Sequence, residues 1–151
     1  NNTISAITAL PASIPTGKIL QVVSATDSTQ RNTTSTTFSL SSSTLTADIT
    51  PSATSSKILI LMNIASYKKD SGQQMISVFR DSTNLSGTAN GIINNNGNNI
   101  TYSSAITLVD SPNTTSATTY QMRQKTEQAV DTVKFNNNGG LSSLILLEVG
   151  A

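Results

Sequence analysis

The sequence lacks cysteine and histidine, and charged side chains make up only 11% of its 151 residues. Without cysteine the chain can form neither a disulfide nor a thiolate metal site. Without histidine it lacks the usual general base and the commonest metal ligand. Nine lysines and arginines nearly balance eight aspartates and glutamates, so no basic patch favours a nucleic-acid partner. These absences predict a protein that carries no cofactor and no metal.

Long apolar runs are absent as well. The longest, Ile58 to Met62, has five residues, whereas a membrane-spanning helix needs about 20. No basic segment followed by an apolar one begins the chain, so we expect neither a signal peptide nor membrane insertion. The chain opens with Asn1 rather than methionine, which suggests processing or, more simply, a piece of a longer polypeptide.

Most polar residues of the chain are serine, threonine and asparagine rather than charged residues, and clusters of polar turn residues separate short apolar segments. Such a composition favours β-strands joined by turns. We predict eight to ten antiparallel strands about 8–12 residues apart and no long helix, which is typical of a β-sandwich or barrel. The predicted strands cover 18–25, 36–40, 44–50, 57–67, 73–80, 100–109, 117–126, 130–135 and 141–151.

The chain length fits one domain, since about 150 residues can bury some 68–70% of their unfolded surface. We assign residues 17–151 to a single β-sandwich domain and residues 1–16 to a connector. Ile4, Ile7, Leu10 and Ile14 have helical spacing, but Pro11 and Pro15 interrupt it. We therefore expect an extended arm whose apolar side chains pack against neighbouring chains.

The strand predicted at 57–67 is apolar on both faces. Alternation places Ile58, Ile60, Met62 and Ile64 on one face, and Leu59, Leu61 and Tyr67 on the other. The last strand repeats this pattern, with Ile145 and Leu147 opposite Leu144 and Leu146.

An antiparallel strand with one face in water would alternate apolar and polar residues. The second face of these strands must therefore be covered, and without helices the simplest cover is another copy of the chain. We predict subunit contacts at Leu59, Leu61, Tyr67, Ile145 and Leu147, although Ile58 and Ile60 would serve if the faces were reversed. A tightly closed barrel, or a loop of the same chain, is the alternative cover.

Two asparagine-rich segments, 94–99 and 136–140, read as loops. Asparagine and glycine tolerate the left-handed backbone conformation that tight turns need. The second interpretation is that exposed amides, with Tyr102 near them in sequence, contact a sugar or a receptor. The residues that would do so are Asn95, Asn96, Asn98, Asn137 and Asn138.

No pattern of catalytic residues stands out. Serines have no histidine beside them, and no G-x-S-x-G motif occurs. The eight carboxylates fall mostly at strand ends and turns, where aspartate has an ordinary capping role. Glu127 and Asp131 are close together in sequence, but a pair on one loop is weak support for glycoside hydrolysis. We predict that the chain is not an enzyme.

Several segments resemble a family of bacteriophage virion proteins that is common in phages of marine bacteria and is described as tail-fibre or structural. The resemblance rests on LPASIPTGKILQVVSATDSTQ from Leu10, TTSTTF, and TLTADITPSATSSKILIL ending at Leu61, with LILLEVGA at the end of the chain. It covers the first third strongly and the last strand moderately, whereas the middle departs from the family. The resemblance implies a place in the virion, and it implies no catalytic residue.

The order of strands is also similar to the jelly roll of tumour-necrosis-factor and C1q-type trimers. This likeness implies that the strands at 57–67 and 143–149 lie in the inner sheet, which meets its partners about a three-fold axis. Together the two resemblances imply a homotrimeric β-sandwich of jelly-roll type.

The function we expect is that of a fibre or fibre-tip domain, which attaches the phage to a host-surface glycan or receptor by multivalent contacts and joins other virion proteins. A capsid decoration protein, whose partner is the capsid, is the alternative. A glycan-degrading fibre enzyme would need two acidic groups about 5–10 Å apart in a groove, and we consider it third.

Overall fold

A computed structural model describes residues 17–40, 45–68 and 72–150. The predicted connector at 1–16 therefore lies outside the described residues. Within them the chain is all-β, with one short 3-10 helix at Asn137–Gly139. The strands are β1 (Ile19–Asp27), β2 (Arg31–Thr33), β3 (Thr46–Ile49), β4 (Lys57–Lys68), β5 (Gln73–Arg80), β6 (Thr83–Asn84), β7 (Ile93–Asn96), β8 (Ile100–Asp110), β9 (Thr118–Thr126), β10 (Val133–Phe135) and β11 (Ser142–Val149).

The strands form two antiparallel sheets that pack face to face as a β-sandwich. In sheet 1, β11 lies between β1 and β4, and β8 pairs with the other side of β4. The far end of β4 also pairs with β10, which carries β2. In sheet 2, β9 lies between β3 and β5, and β5 pairs on its other side with β6 and β7. The predicted antiparallel β-sandwich is confirmed.

Strand β4 forms because β-branched and large aliphatic residues suit a surface that is packed on both sides. Its alternating side chains divide as the sequence suggests. Ile58, Ile60 and Ile64 are fully buried and point into the sandwich, whereas Leu59 and Leu61 are half-buried on the outside. The side of β4 that fills the core is thereby fixed.

The core lies between the two sheets. Sheet 1 contributes the inward side chains of β4 and β11, and sheet 2 contributes those of β3, β5 and β9. Its fully buried members are Leu45, Ile49, Ile58, Ile60, Ile64, Ile76, Val78, Tyr120, Met122, Phe135, Leu144 and Leu146. Burying one such aliphatic side chain contributes roughly 1.5–3 kcal/mol, so this cluster is the main source of stability.

The outer face of sheet 2 is covered by the chain itself. Phe79 points away from the core but is only 6% exposed, because the ring of Phe38 packs edge-on against it with centroids 5.5 Å apart. The guanidinium of Arg123 lies 4.2 Å from the centre of the Phe79 ring. The ammonium of Lys125 lies 5.1 Å from that of Phe38. A loop of the same chain is thus the cover here.

This packing corrects the prediction of a strand at 36–40. The segment makes only an isolated bridge, Ser39 to Gln124, and its apolar residue Phe38 lies over sheet 2 instead of joining a ladder. Three short strands were missed: β2 falls in a predicted loop, β6 falls between the strands predicted at 73–80 and 100–109, and β7 falls mostly in the first asparagine-rich segment.

The sandwich has two distinct ends. At one end the described chain begins and finishes, since the Gly150 amide donates to the carbonyl of Lys18 at 2.9 Å. At the other end β1, β4 and β7 finish and β5, β8 and β11 begin. We call the second the amide-rich end, because it carries residues 28–30, 94–99 and 136–140.

Candidate functional site

The outer face of sheet 1 brings together four of the five predicted contact residues. Leu59 pairs with Leu147, and Leu61 pairs with Ile145, as direct cross-strand neighbours of β4 and β11. All four point away from the core and are half-buried. With the outward residues Val22 and Val109 they form what we call the apolar face.

The six residues of the apolar face lie in the first two of three rows that cross four strands in register. The first row is Val22, Leu147, Leu59, Val109; the second is Ser24, Ile145, Leu61, Thr107; and the third is Thr26, Ser143, Asn63, Ala105. None of these twelve side chains is charged. Val22 and Val109, at its margins, are 59% and 60% exposed. The face therefore presents apolar surface without charges that would disfavour its burial.

A shallow depression of about 240 Å³ lies in this face, between β8, β4 and β11. Its lining includes small side chains, at Asn63, Ala105 and Ser143, and larger ones, at Leu61 and Ile145. Its shape suits an inserted side chain better than a small metabolite, because such ligands bind in enclosed pockets of ≈ 300–1,000 Å³.

Tyr67 shares the outward side of β4 but lies beyond the apolar rows, close to the amide-rich end. Its hydroxyl donates to the Asn99 side-chain oxygen at 3.0 Å, and the Lys134 ammonium lies 5.0 Å from the centre of its ring. The surroundings of Tyr67 are therefore polar, unlike those of Leu59 and Leu61.

The structure changes the prediction for the asparagine segments. Asn95 and Asn96 lie in β7, paired with Gln74 and Gln73 of β5, so their placement in a loop is wrong. Asn98 lies in the connection from β7 to β8.

The other two candidates, Asn137 and Asn138, lie in the 3-10 turn. All five asparagines belong to the amide-rich end. Tyr102 does not join them on the surface, because its hydroxyl is buried and has no hydrogen-bond partner among the described residues.

Asn136 is the residue of this end that sequence reasoning missed. It is fully buried, with a left-handed backbone at φ 53° and ψ 47°. Its amide nitrogen donates to the Asp27 carbonyl at 2.8 Å, and its oxygen accepts from Ser142 at 2.6 Å. The Asn136 side chain thus anchors the 136–140 turn to β1 and β11, which three consecutive asparagines in sequence do not reveal.

A second polar cluster joins the sheets near the other end. One guanidinium nitrogen of Arg80 in sheet 2 lies 2.9 and 2.8 Å from the two carboxylate oxygens of Asp110 in sheet 1. The hydroxyl of the fully buried Tyr120 also donates to Asp110, at 2.6 Å. Burial first, and then the Asp110 carboxylate, raise the pKa of Tyr120 above its ordinary value. A phenol held protonated in this way stabilises the sandwich and is no proton acceptor at neutral pH.

No three acidic residues of the described chain are grouped so that they could hold a metal ion. Asp131 is buried while Glu127 is exposed, so this pair does not line a common groove. In the described ranges no helix is long and apolar enough to cross a membrane.

Comparison with models of known families finds no match, and comparison with curated proteins finds none either.

Proposed function

We propose that this chain is a structural and adhesive module of a bacteriophage virion, which assembles through its apolar face and contacts the host surface with its amide-rich end. The observation that carries the proposal is the apolar face itself. An uncharged surface of aliphatic side chains across four strands is costly in water, and such patches are typical of interaction sites.

A second copy of the chain is the cover that fits this surface best. The face carries no charge for an oppositely charged partner to meet. Each buried leucine or isoleucine would contribute roughly 1.5–3 kcal/mol. Leu59, Leu61, Ile145 and Leu147 lie side by side in every copy, so a closed ring of copies would bury all of them together. We propose a trimer with its axis along β4 and β11.

The strand order supports a jelly-roll assignment within the proposal. Sheet 1 contains the series β1-β11-β4-β8, and sheet 2 contains β3-β9-β5-β7. Eight strands in two such sheets, with the chain passing repeatedly from one sheet to the other, are the arrangement that defines a jelly roll.

The positions of the two ends support the adhesive part. Both described chain ends lie at one end of the sandwich, and the amides lie at the opposite one. A trimer attached to the virion by the first end would present three amide-rich ends to the outside. Weak contacts repeated in linked copies multiply through effective concentration, so each copy needs only modest affinity.

Mass measurement tests the assembly. Light scattering should give about three times the chain mass of 15.8 kDa. Leu61→Asp places a carboxylate in the apolar face and should give folded monomer. The matched control is Val130→Asp, because Val130 is 80% exposed on a turn at the amide-rich end, and this variant should remain trimeric. A monomeric wild type, or a trimeric Leu61→Asp variant, would contradict the proposal.

Location in the particle tests the adhesive role. Antibodies against the domain, seen by electron microscopy, should mark the fibres of the phage that encodes it. Labelling over the capsid would instead support a decoration protein. Alanine at Asn98, Asn137 and Asn138 should then weaken adsorption to host cells while circular dichroism stays unchanged. If adsorption is unaffected, these residues are only turn residues.

A further inference from the structure

The chain contains three Asn-Gly pairs: Asn90–Gly91, Asn96–Gly97 and Asn138–Gly139. In such a pair the backbone nitrogen of glycine can attack the side-chain carbonyl carbon of the preceding asparagine. Glycine favours this attack because it has no Cβ to hinder the approach or to restrict the backbone. The three pairs are chemically equivalent in the unfolded chain, so any difference between them in the folded protein comes from structure.

We propose that Asn96–Gly97 is a site of spontaneous covalent modification in the folded protein, at which Asn96 becomes aspartate or isoaspartate. The Gly97 nitrogen forms a bond to Cγ of Asn96, and the Cγ–Nδ2 bond breaks. The departing Nδ2 group takes up, by way of solvent, the one proton that Gly97 loses and leaves as ammonia. Water then opens the resulting five-membered imide at either carbonyl, so the net change is gain of water and loss of ammonia.

The Asn138–Gly139 pair is held against this reaction. The nucleophile is occupied, since the Gly139 amide donates to the Asn136 carbonyl at 3.1 Å. The backbone amide of Asn138 donates to the side-chain oxygen of Gln30 at 3.0 Å. Asn136, at the base of the turn, is itself anchored by buried hydrogen bonds to Asp27 and Ser142. Ring closure here would have to break a well-anchored turn.

The Asn90–Gly91 pair is held by packing and by hydrogen bonds, since the Gly91 amide donates to the Thr88 carbonyl at 3.5 Å. A Cβ built at Gly91 would lie 2.6 Å from the Ile76 carbonyl oxygen and 3.0 Å from the Phe38 ring, so the glycine backbone is pressed against both. The next amide, Ile92, donates to the same Ile76 carbonyl at 2.9 Å, and the Thr88 hydroxyl donates to the Gly91 carbonyl at 3.3 Å. This backbone has little room for the rotation that ring closure requires.

Asn96–Gly97 lacks the hydrogen bonds that hold the reacting atoms of the other two pairs, and its glycine packs against side-chain atoms of Tyr102 and Ile100 rather than against backbone. Asn96 is the last residue of β7 and is exposed, and its side chain makes no hydrogen bond to any described residue. The Gly97 amide likewise has no hydrogen-bond partner among the described residues. A Cβ at Gly97 would overlap the Tyr102 hydroxyl and crowd Ile100, so glycine fits here without moving either side chain.

The modification would change the amide-rich end chemically. Each conversion adds a carboxylate, so the net charge of the chain falls by one unit from +1. An isoaspartate also lengthens the backbone by one atom beside Gln73, where β5 and β7 pair. Charge and strand register both change at a surface that now carries neutral amides.

Peptide mapping by mass spectrometry tests the proposal on the whole chain incubated at mildly alkaline pH. In the native protein Asn96 should convert ahead of Asn90 and Asn138, and faster at higher pH because the deprotonated amide is the nucleophile. In concentrated urea the three pairs should convert at similar rates. Asn96→Gln should remove the first acidic species seen in ion-exchange chromatography, because a longer side chain closes a ring less readily, whereas Asn138→Gln should leave that species in place. Conversion of Asn90 or Asn138 before Asn96 in the native protein, or an intact Asn96 after all three convert in urea, would overturn the proposal.

Discussion

The substitution Glu148→Gln tests which interactions hold one end of the sandwich together, the end opposite the amide-rich end. Glu148 points into the sandwich from β11 and is 1% exposed. One carboxylate oxygen accepts three hydrogen bonds, from the Ser52 amide at 2.7 Å, the Ser52 hydroxyl at 2.6 Å and the Ser56 hydroxyl at 2.7 Å. These bonds fasten the turn between β3 and β4 to the last strand. Burial acts to raise the pKa of Glu148, but the bonds from Ser52 and Ser56 outweigh it and lower the pKa below 4.5.

The expected loss of stability in Glu148→Gln follows from these three hydrogen bonds. Glutamine keeps the shape and one acceptor oxygen, so the donors retain a partner. A hydrogen bond to a charged group contributes about 1.5–3 kcal/mol against roughly 0.5–1.5 for a neutral one, so the loss is about 1 kcal/mol per bond and about 3 kcal/mol in all. For a chain of this size that corresponds to a fall of about 6–12 °C in Tm.

The loss must also depend on pH. A carboxyl group whose pKa is lower in the folded state stabilises the fold above its unfolded pKa, and this contribution disappears as pH falls through the folded value. Thermal unfolding followed by circular dichroism should therefore separate wild type from Glu148→Gln at pH 7, and the two should converge as the pH falls through the lowered pKa of Glu148. Glu127→Gln, at an exposed turn, is the control and should match wild type throughout. An equal separation at pH 7 and at low pH would refute the assignment to the charge.

Three further substitutions probe packing and buried hydroxyls. Gly72→Ala should cost about 1–3 kcal/mol by urea unfolding, because the new Cβ would overlap the buried Asp131 carboxylate; an unchanged midpoint would contradict this contact. Tyr120→Phe should cost about 1–3 kcal/mol, since it removes the donor to Asp110. Tyr102→Phe makes the same chemical change where the hydroxyl has no partner among the described residues, and it should be neutral or stabilising. Equal losses in the two tyrosine variants would contradict the hydrogen-bond assignment.

The fold class could be predicted because strand period and turn composition are local properties of the sequence. The strand predictions were wrong where tertiary packing, rather than local sequence, determines whether a segment joins a sheet. The segment 36–40 alternates like a strand, yet Phe38 packs against Phe79, and a single sequence does not show whether an alternating segment pairs or lies across a sheet. Conversely, Asn95 and Asn96 have poor strand propensity, and β7 forms there because β5 offers it an unpaired edge.

Part of the candidate site was also predictable. The sequence alone shows that β4 is apolar on both faces, so Leu59 and Leu61 could be predicted to lie together on one apolar surface. Which face enters the core was not visible, because isoleucine and leucine have nearly equal reasons to be buried. The polar anchors were hidden for a different reason. Glu148 and Asn136 bind partners distant in sequence, Ser52 and Asp27 among them, and no local pattern marks those pairs.

The two outer faces of the sandwich support the assembly proposal by their contrast. On sheet 2 the outward Phe79 is brought to 6% exposure by Phe38 and by the stem and guanidinium of Arg123, so the chain spends its own residues on covering apolar surface. On sheet 1 the described residues place no counterpart of Phe38 over Leu59 or Leu61. A chain with so few charged residues keeps its surface soluble with serine, threonine and asparagine, and these line the other outward rows of sheet 1 at the amide-rich end. Within β1, β4, β8 and β11 the outward leucine, isoleucine and valine side chains lie in the rows nearest the chain ends, which is where copies joined through those ends would be held together.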